Sequence, residues 1–113
     1  MALNKNSTRY ASSVQEKSVA SAVGGKRTPN SGATDFQKGD VITTDWLLEC
    51  KTCMEKKKSF SIKKEWLEKN KQEAFATGKE NHALVFDFGD SNRYYVLDEK
   101  TFLKMKEVLD NGN

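Results

Sequence analysis

Apolar positions change their spacing several times along this chain, and each change predicts an element. Residues 10–23 contain neither Gly nor Pro, and Tyr10, Val14 and Ala22 fall on one helical face with Ser18 and Ser21, which predicts a helix ended by Gly24-Gly25. The segment GKRTPNSGATDFQKG is dense in turn formers and reads as a loop running into a short strand approach. Residues 41–43 and 46–52 are β-branched or apolar runs separated by Thr44-Asp45, the spacing of an antiparallel hairpin. After the charged connection MEKKKS, Ser61 is placed to cap a helix carrying Ile62, Trp66, Leu67, Ala74 and Phe75, which Gly78 stops. Residues 83–88 and 93–97, joined by GDSN, form a second hairpin, and Asp98 caps a last helix whose Phe102, Met105 and Leu109 make a stripe against the sheet. The order is α, β, β, α, β, β, α. It predicts an α/β fold in which helices flank a small mixed sheet.

Length and composition narrow the picture. The chain has 113 residues, enough for one domain over residues 10–110 behind a polar, flexible terminus at 1–9. No apolar run approaches the roughly 20 residues that span a bilayer, and MALNKNSTRY lacks a secretory h-region, so an intracellular protein is expected. The net charge of +3 hides a partition. Residues 1–79 hold fifteen Lys and Arg against nine Asp and Glu, whereas residues 80–113 hold four against seven. A basic majority suits a polyanion partner, although a mixed ionic surface also arises without one.

The stretch DVITTDWLLECKT carries the chemistry. Alternation along its second strand points Glu49 and Lys51 to one side and Cys50 to the other. Closing the hairpin at Thr44-Asp45 sets Asp40 opposite Glu49. Two adjacent carboxylates repel unless a cation lies between them, and hard divalent ions such as Mg²⁺ favour one or two carboxylates together with substrate phosphate. Lys51 beside them can orient a water, help deprotonate it, or stabilise charge on a phosphate under attack. The set suits phosphodiester hydrolysis. An ordinary surface ion pair between Glu49 and Lys51 is the plainer alternative.

Gly39-Asp40 followed by Glu49-Cys50-Lys51 resembles the core motif of the PD-(D/E)XK nuclease superfamily, with Gly39 where the family name has Pro. The wider pattern of helix, basic Ser/Gly loop, hairpin, helix and strand, over about residues 10 to 98, is similar to the archaeal and phage Holliday-junction resolvases. The resemblance implies a restriction-endonuclease-like core and a metal-dependent endonuclease acting on branched DNA as a homodimer. It implies Mg²⁺, or Mn²⁺, held by Asp40 and Glu49 with Glu16 and the backbone carbonyl of Cys50 as further donors. The same resemblance makes Glu16, Asp40, Glu49 and Lys51 the catalytic set and points to Ser31 as a phosphate contact assisted by Arg27. Lys26, Lys38 and the run Lys56-Lys57-Lys58 add positive charge for the DNA backbone. Phe86, Phe88, Tyr94 and Tyr95 are apolar candidates for a dimer contact, half of them turned inward by alternation.

Three other readings stay open. One is a different nuclease of the same fold, for restriction, repair or nicking. Another is a noncatalytic nucleic-acid-binding module gripping phosphate through its lysines. The third uses Cys50 and Cys53, a single CxxC that supplies half a zinc site, as a metal or redox pair in place of two reduced thiols.

Overall fold

The computed structural model describes residues 8–28, 40–53 and 55–112. Its elements are α1 (Thr8–Val23), β1 (Lys26–Arg27), β2 (Asp40–Ile42), β3 (Trp46–Lys51), α2 (Lys64–Ala76), β4 (Asn81–Asp87), β5 (Arg93–Val96) and α3 (Glu99–Asp110). Among the described residues five strands form one sheet in sequential order, antiparallel throughout except for β3 beside β4, which run parallel. The α/β class and the mixed sheet match the sequence reading. The element order does not, because β1 adds a strand.

That strand has only two exposed residues and no apolar pattern to announce it. Pairing creates it: Lys26 lies opposite Ile42 and Arg27 opposite Val41. Gly25 permits the approach, since a Cβ there would sit 2.6 Å from the Ile42 carbonyl oxygen.

Alternation sorts β3 between two layers. Leu48 and Cys50 turn toward α1, where Val19, Val41, Ala83 and Val85 complete an apolar core. Leu47, Glu49 and Lys51 turn toward α2. The parallel register brings Leu84 beside Glu49 and Phe86 beside Lys51 on that second face.

The helices depart most from expectation. In α1 the buried side chains are Gln15, Glu16 and Val19, while Val14 is half exposed, so the expected stripe of Tyr10, Val14 and Ala22 is not the packed one. A polar helix has too weak an apolar stripe to set its own rotation. Ser61 does not cap α2. Lys63 holds the N-cap position without a side-chain hydrogen bond, and Ile62 precedes the helix. The C-terminus does end ahead of Gly78, with the Lys79 and Gly78 amides donating to the carbonyls of Ala74 and Phe75 in a Schellman arrangement. Asp98 caps α3 as expected, accepting from the Thr101 amide at 2.9 Å. Yet Phe102, Met105 and Leu109 remain exposed, and Thr101 is the buried residue of α3, so the stripe does not lie on the sheet. Among the described residues no helix is long and apolar enough to cross a membrane.

Candidate functional site

The site begins with the turn between β2 and β3. Thr43 and Trp46 close it, the Thr43 amide donating to the Trp46 carbonyl and the Trp46 amide to Thr43 Oγ1, both at 3.0 Å. This fixes the register that sets Asp40 opposite Glu49. Both carboxylates are buried, at 7% and 8% exposure. Lys51 reaches back along its strand face so that Nζ lies 3.0 Å from Glu49 Oε2. The same ammonium stands 4.2 Å from the centre of the Trp66 ring of α2, a cation–π contact that holds it over the carboxylates.

A third carboxylate joins from α2. Oxygens of Asp40, Glu49 and Glu73 all lie within 4.8 Å of one another, an arrangement able to hold a metal ion. Glu73 also faces Lys69 at 4.0 Å. An all-oxygen donor set suits a hard divalent ion better than a soft metal. Glu73 is absent from the sequence-level set. Its signal was helical spacing: it follows Trp66 by seven residues and Asn70 by three, which places it on the α2 side that meets the sheet.

Glu16 is not one of the three. It belongs to the α1 layer, where its Oε1 accepts from Arg27 Nε at 3.3 Å. Burial raises its carboxyl above the ordinary range, and the Arg27 guanidinium partly offsets this. Arg27 is therefore engaged by Glu16, while Lys26 is exposed beside it on the edge strand. Lys56, Lys57 and Lys58 are exposed beyond β3. Ser31 and Lys38 lie outside the described residues. β1, which carries Lys26, neighbours β2 in the sheet, and the lysine run follows β3 in the chain and rests against Phe88 after β4.

Gln15 is a second residue the sequence did not mark. Its amide nitrogen donates to the Lys51 carbonyl at 3.1 Å, and its carbonyl accepts from Thr52 Oγ1 at 2.9 Å. The end of β3 that carries Lys51 is thereby tied to α1.

The two cysteines are free and differ in surroundings. Cys50 sits in the α1 core, its backbone between Glu49 and Lys51 and in register with Val85. Its thiol is pushed up to about 12, first by burial and then by the nearby carboxylates of Glu16, Asp40 and Glu49, with Arg93 opposing. Cys53 is partly exposed and donates to the Glu55 carbonyl. Among the described residues the group able to hold a metal contains carboxylates only, so the zinc reading gains no ligand set. The lone histidine, His82, contacts Asn70 at 3.1 Å and Asp98 at 3.6 Å near the start of β4.

No protein-family model, no curated protein and no solved structure matches this chain.

Proposed function

We propose that this chain is a metal-dependent endodeoxyribonuclease of the PD-(D/E)XK kind, acting on branched DNA in the manner of a Holliday-junction resolvase. The observation that carries this reading is the meeting of Asp40, Glu49 and Glu73 within 4.8 Å, with Lys51 Nζ 3.0 Å from Glu49. The helix, motif-bearing hairpin, helix and strand of that pattern correspond to α1, β2-β3, α2 and β4, with β1 as a strand the pattern lacks.

Asp40, Glu49 and Glu73 would hold Mg²⁺ or Mn²⁺, which supplies Lewis-acid activation of a phosphate and of a water. Lys51, oriented by Glu49 and Trp66, places positive charge where the attacked phosphate gains negative charge. Lys26 and Lys56 to Lys58 meet flanking phosphates. Paired cuts need two sites, so the enzyme works as a homodimer. Phe86 is buried and leaves that contact, while Tyr95 and the exposed apolar residues of α3, among them Phe102, Met105 and Leu109, supply surface for it.

The test is cleavage of a synthetic four-way junction beside a linear duplex of matched sequence, with Mg²⁺, with EDTA, and with Glu49→Gln. Metal-dependent paired incisions confined to the junction, lost in the variant, are expected. Equal cutting of both substrates would retain a nuclease of the same fold and discard junction preference. Binding without any cutting would favour the noncatalytic module.

A further inference from the structure

Beyond the carboxylates, one row of the sheet runs Lys51, Phe86, Tyr94 across β3, β4 and β5. These three positions share the α2 face, one pleat step past Glu49. Neighbouring strands lie about 4.8 Å apart, so Tyr94 stands roughly 10 Å from Lys51 along the row.

The row is continued by rings in contact. Trp66, over which Lys51 lies, meets Phe60 at 6.3 Å, Phe60 stacks on Phe86 at 4.6 Å, and Phe86 stacks on Tyr94 at 5.8 Å. Phe88 adds an edge contact to Tyr94 at 5.7 Å. A ladder serving only as core would end under cover. This one starts near the candidate metal centre and ends at Tyr94, which is 52% exposed.

A basic segment is fixed beside that end. The Lys57 amide donates to the Phe88 carbonyl at 2.9 Å. Gly89, at φ +83°, lies so close that a Cβ would meet the Glu55 carbonyl oxygen at 2.5 Å and the Lys56 nitrogen at 2.9 Å. The backbone of the lysine run therefore rests on the strand end next to the rings, with the Lys56, Lys57 and Lys58 side chains exposed.

An exposed ring beside which a lysine run is anchored by its backbone suits bases that offer their flat faces, joined by phosphates. We infer that Tyr94 is a stacking platform for unpaired nucleotides of the substrate, with Lys56 to Lys58 meeting their phosphates. A fully paired duplex keeps its base faces stacked on each other and has none to offer. The inference deepens the nuclease reading and rests on it for the position of the cut, because the platform shares a face with the candidate metal centre. The substrate class becomes DNA with a single-stranded or unstacked segment next to the cleaved bond.

The experiment is fluorescence anisotropy of the full chain in EDTA, using a labelled oligothymidylate of about 12 nucleotides and, separately, a blunt duplex of matched charge. Tyr94→Ala is expected to weaken oligothymidylate binding by about 5- to 150-fold, the range for loss of a base-stacking ring, with duplex binding changed less than about twofold. Tyr94→Phe, which keeps the ring, should restore single-strand affinity. Equal losses on both probes, no loss on either, a Phe variant as weak as the Ala variant, or a wild-type chain that ignores oligothymidylate would each overturn the platform. Cleavage by the wild-type chain is read separately with Mg²⁺. Cutting without Tyr94-dependent binding would sink the platform alone, and Tyr94-dependent binding without cutting would sink the nuclease reading alone.

Discussion

The two faces of β3 are about equally buried and chemically opposite. Toward α1 it presents Leu48 and Cys50, at 2% and 9% exposure, and toward α2 it presents Leu47 and Glu49, at 3% and 8%. Loss of water contact alone therefore does not separate core from site. The difference lies in what surrounds each carbon and oxygen. The α1 face packs Cys50 and Leu48 into an apolar cluster with Val19, Val41, Ala83 and Val85, whereas the α2 face supplies Glu49 with an ammonium at 3.0 Å and two further carboxylates. Glu49 has the Lys51 ammonium built in, whereas a carboxylate introduced at Cys50 would meet those of Glu16, Asp40 and Glu49 with only Arg93 opposing them.

Exchanging the chemistry of the faces should produce the largest effect. Cys50→Asp would put an unpaired carboxylate into the α1 core, close to Glu16, Asp40 and Glu49. A loss of about 3 to 5 kcal/mol is expected, read as a collapse of the urea midpoint, whereas Glu49→Gln should keep the fold. A Cys50→Asp chain as stable as its parent would show that the α1 face is not sealed.

A smaller effect should come from separating the built-in pair. Lys51→Met leaves Glu49 without its ammonium and should cost about 1 to 3 kcal/mol, the penalty for stranding a buried polar group. Much of that loss should vanish when Glu49→Gln is added, giving a coupling of about 1 kcal/mol in a double-mutant cycle. Additive losses would mean that the 3.0 Å contact does not stabilise the site.

An effect absent at neutral pH is a pH dependence peculiar to the α1 face. The folded Cys50 thiol is raised from 9.0 to about 12, so above pH 9 the unfolded chain sheds a proton that the folded chain retains. Stability then falls as pH rises through that window, by at most about 1.4 kcal/mol per pH unit from this group. Cys50→Ala should flatten the alkaline decline relative to wild type. In the same native protein at neutral pH, iodoacetamide should modify Cys53 and spare Cys50. Identical alkaline slopes for the two chains would remove the thiol from the account.

How far the sequence could be read follows from how strongly each element specifies its own geometry. A strand has two faces and a short turn has few lengths, so Thr44-Asp45 was enough to pair Asp40 with Glu49 and to aim Lys51 beside them. A helix can rotate continuously. Without a dominant apolar stripe, α1 concealed that it buries Gln15, Glu16 and Val19, and in α2 only the spacing from Trp66 and Asn70 pointed to Glu73 beside the carboxylates. α3 posed the reverse problem, because its stripe is clear but nothing in one chain says what it meets. β1 was invisible since two exposed residues, Lys26 and Arg27, become a strand only through their neighbour.

The strict alternation of Glu49, Cys50 and Lys51 has a consequence for how this chain can change. Sliding β3 by one residue against its neighbours would drive Glu49 and Lys51 into the apolar layer and turn the thiol toward Asp40. One pairing register thus encodes both the foldability of the domain and the chemistry at its strand end. Insertions or deletions within these six residues would erase the two properties together, whereas single substitutions can trade one for the other. Diversification of such a protein is therefore expected to proceed by exchange of side chains within β3 and by length change only outside it.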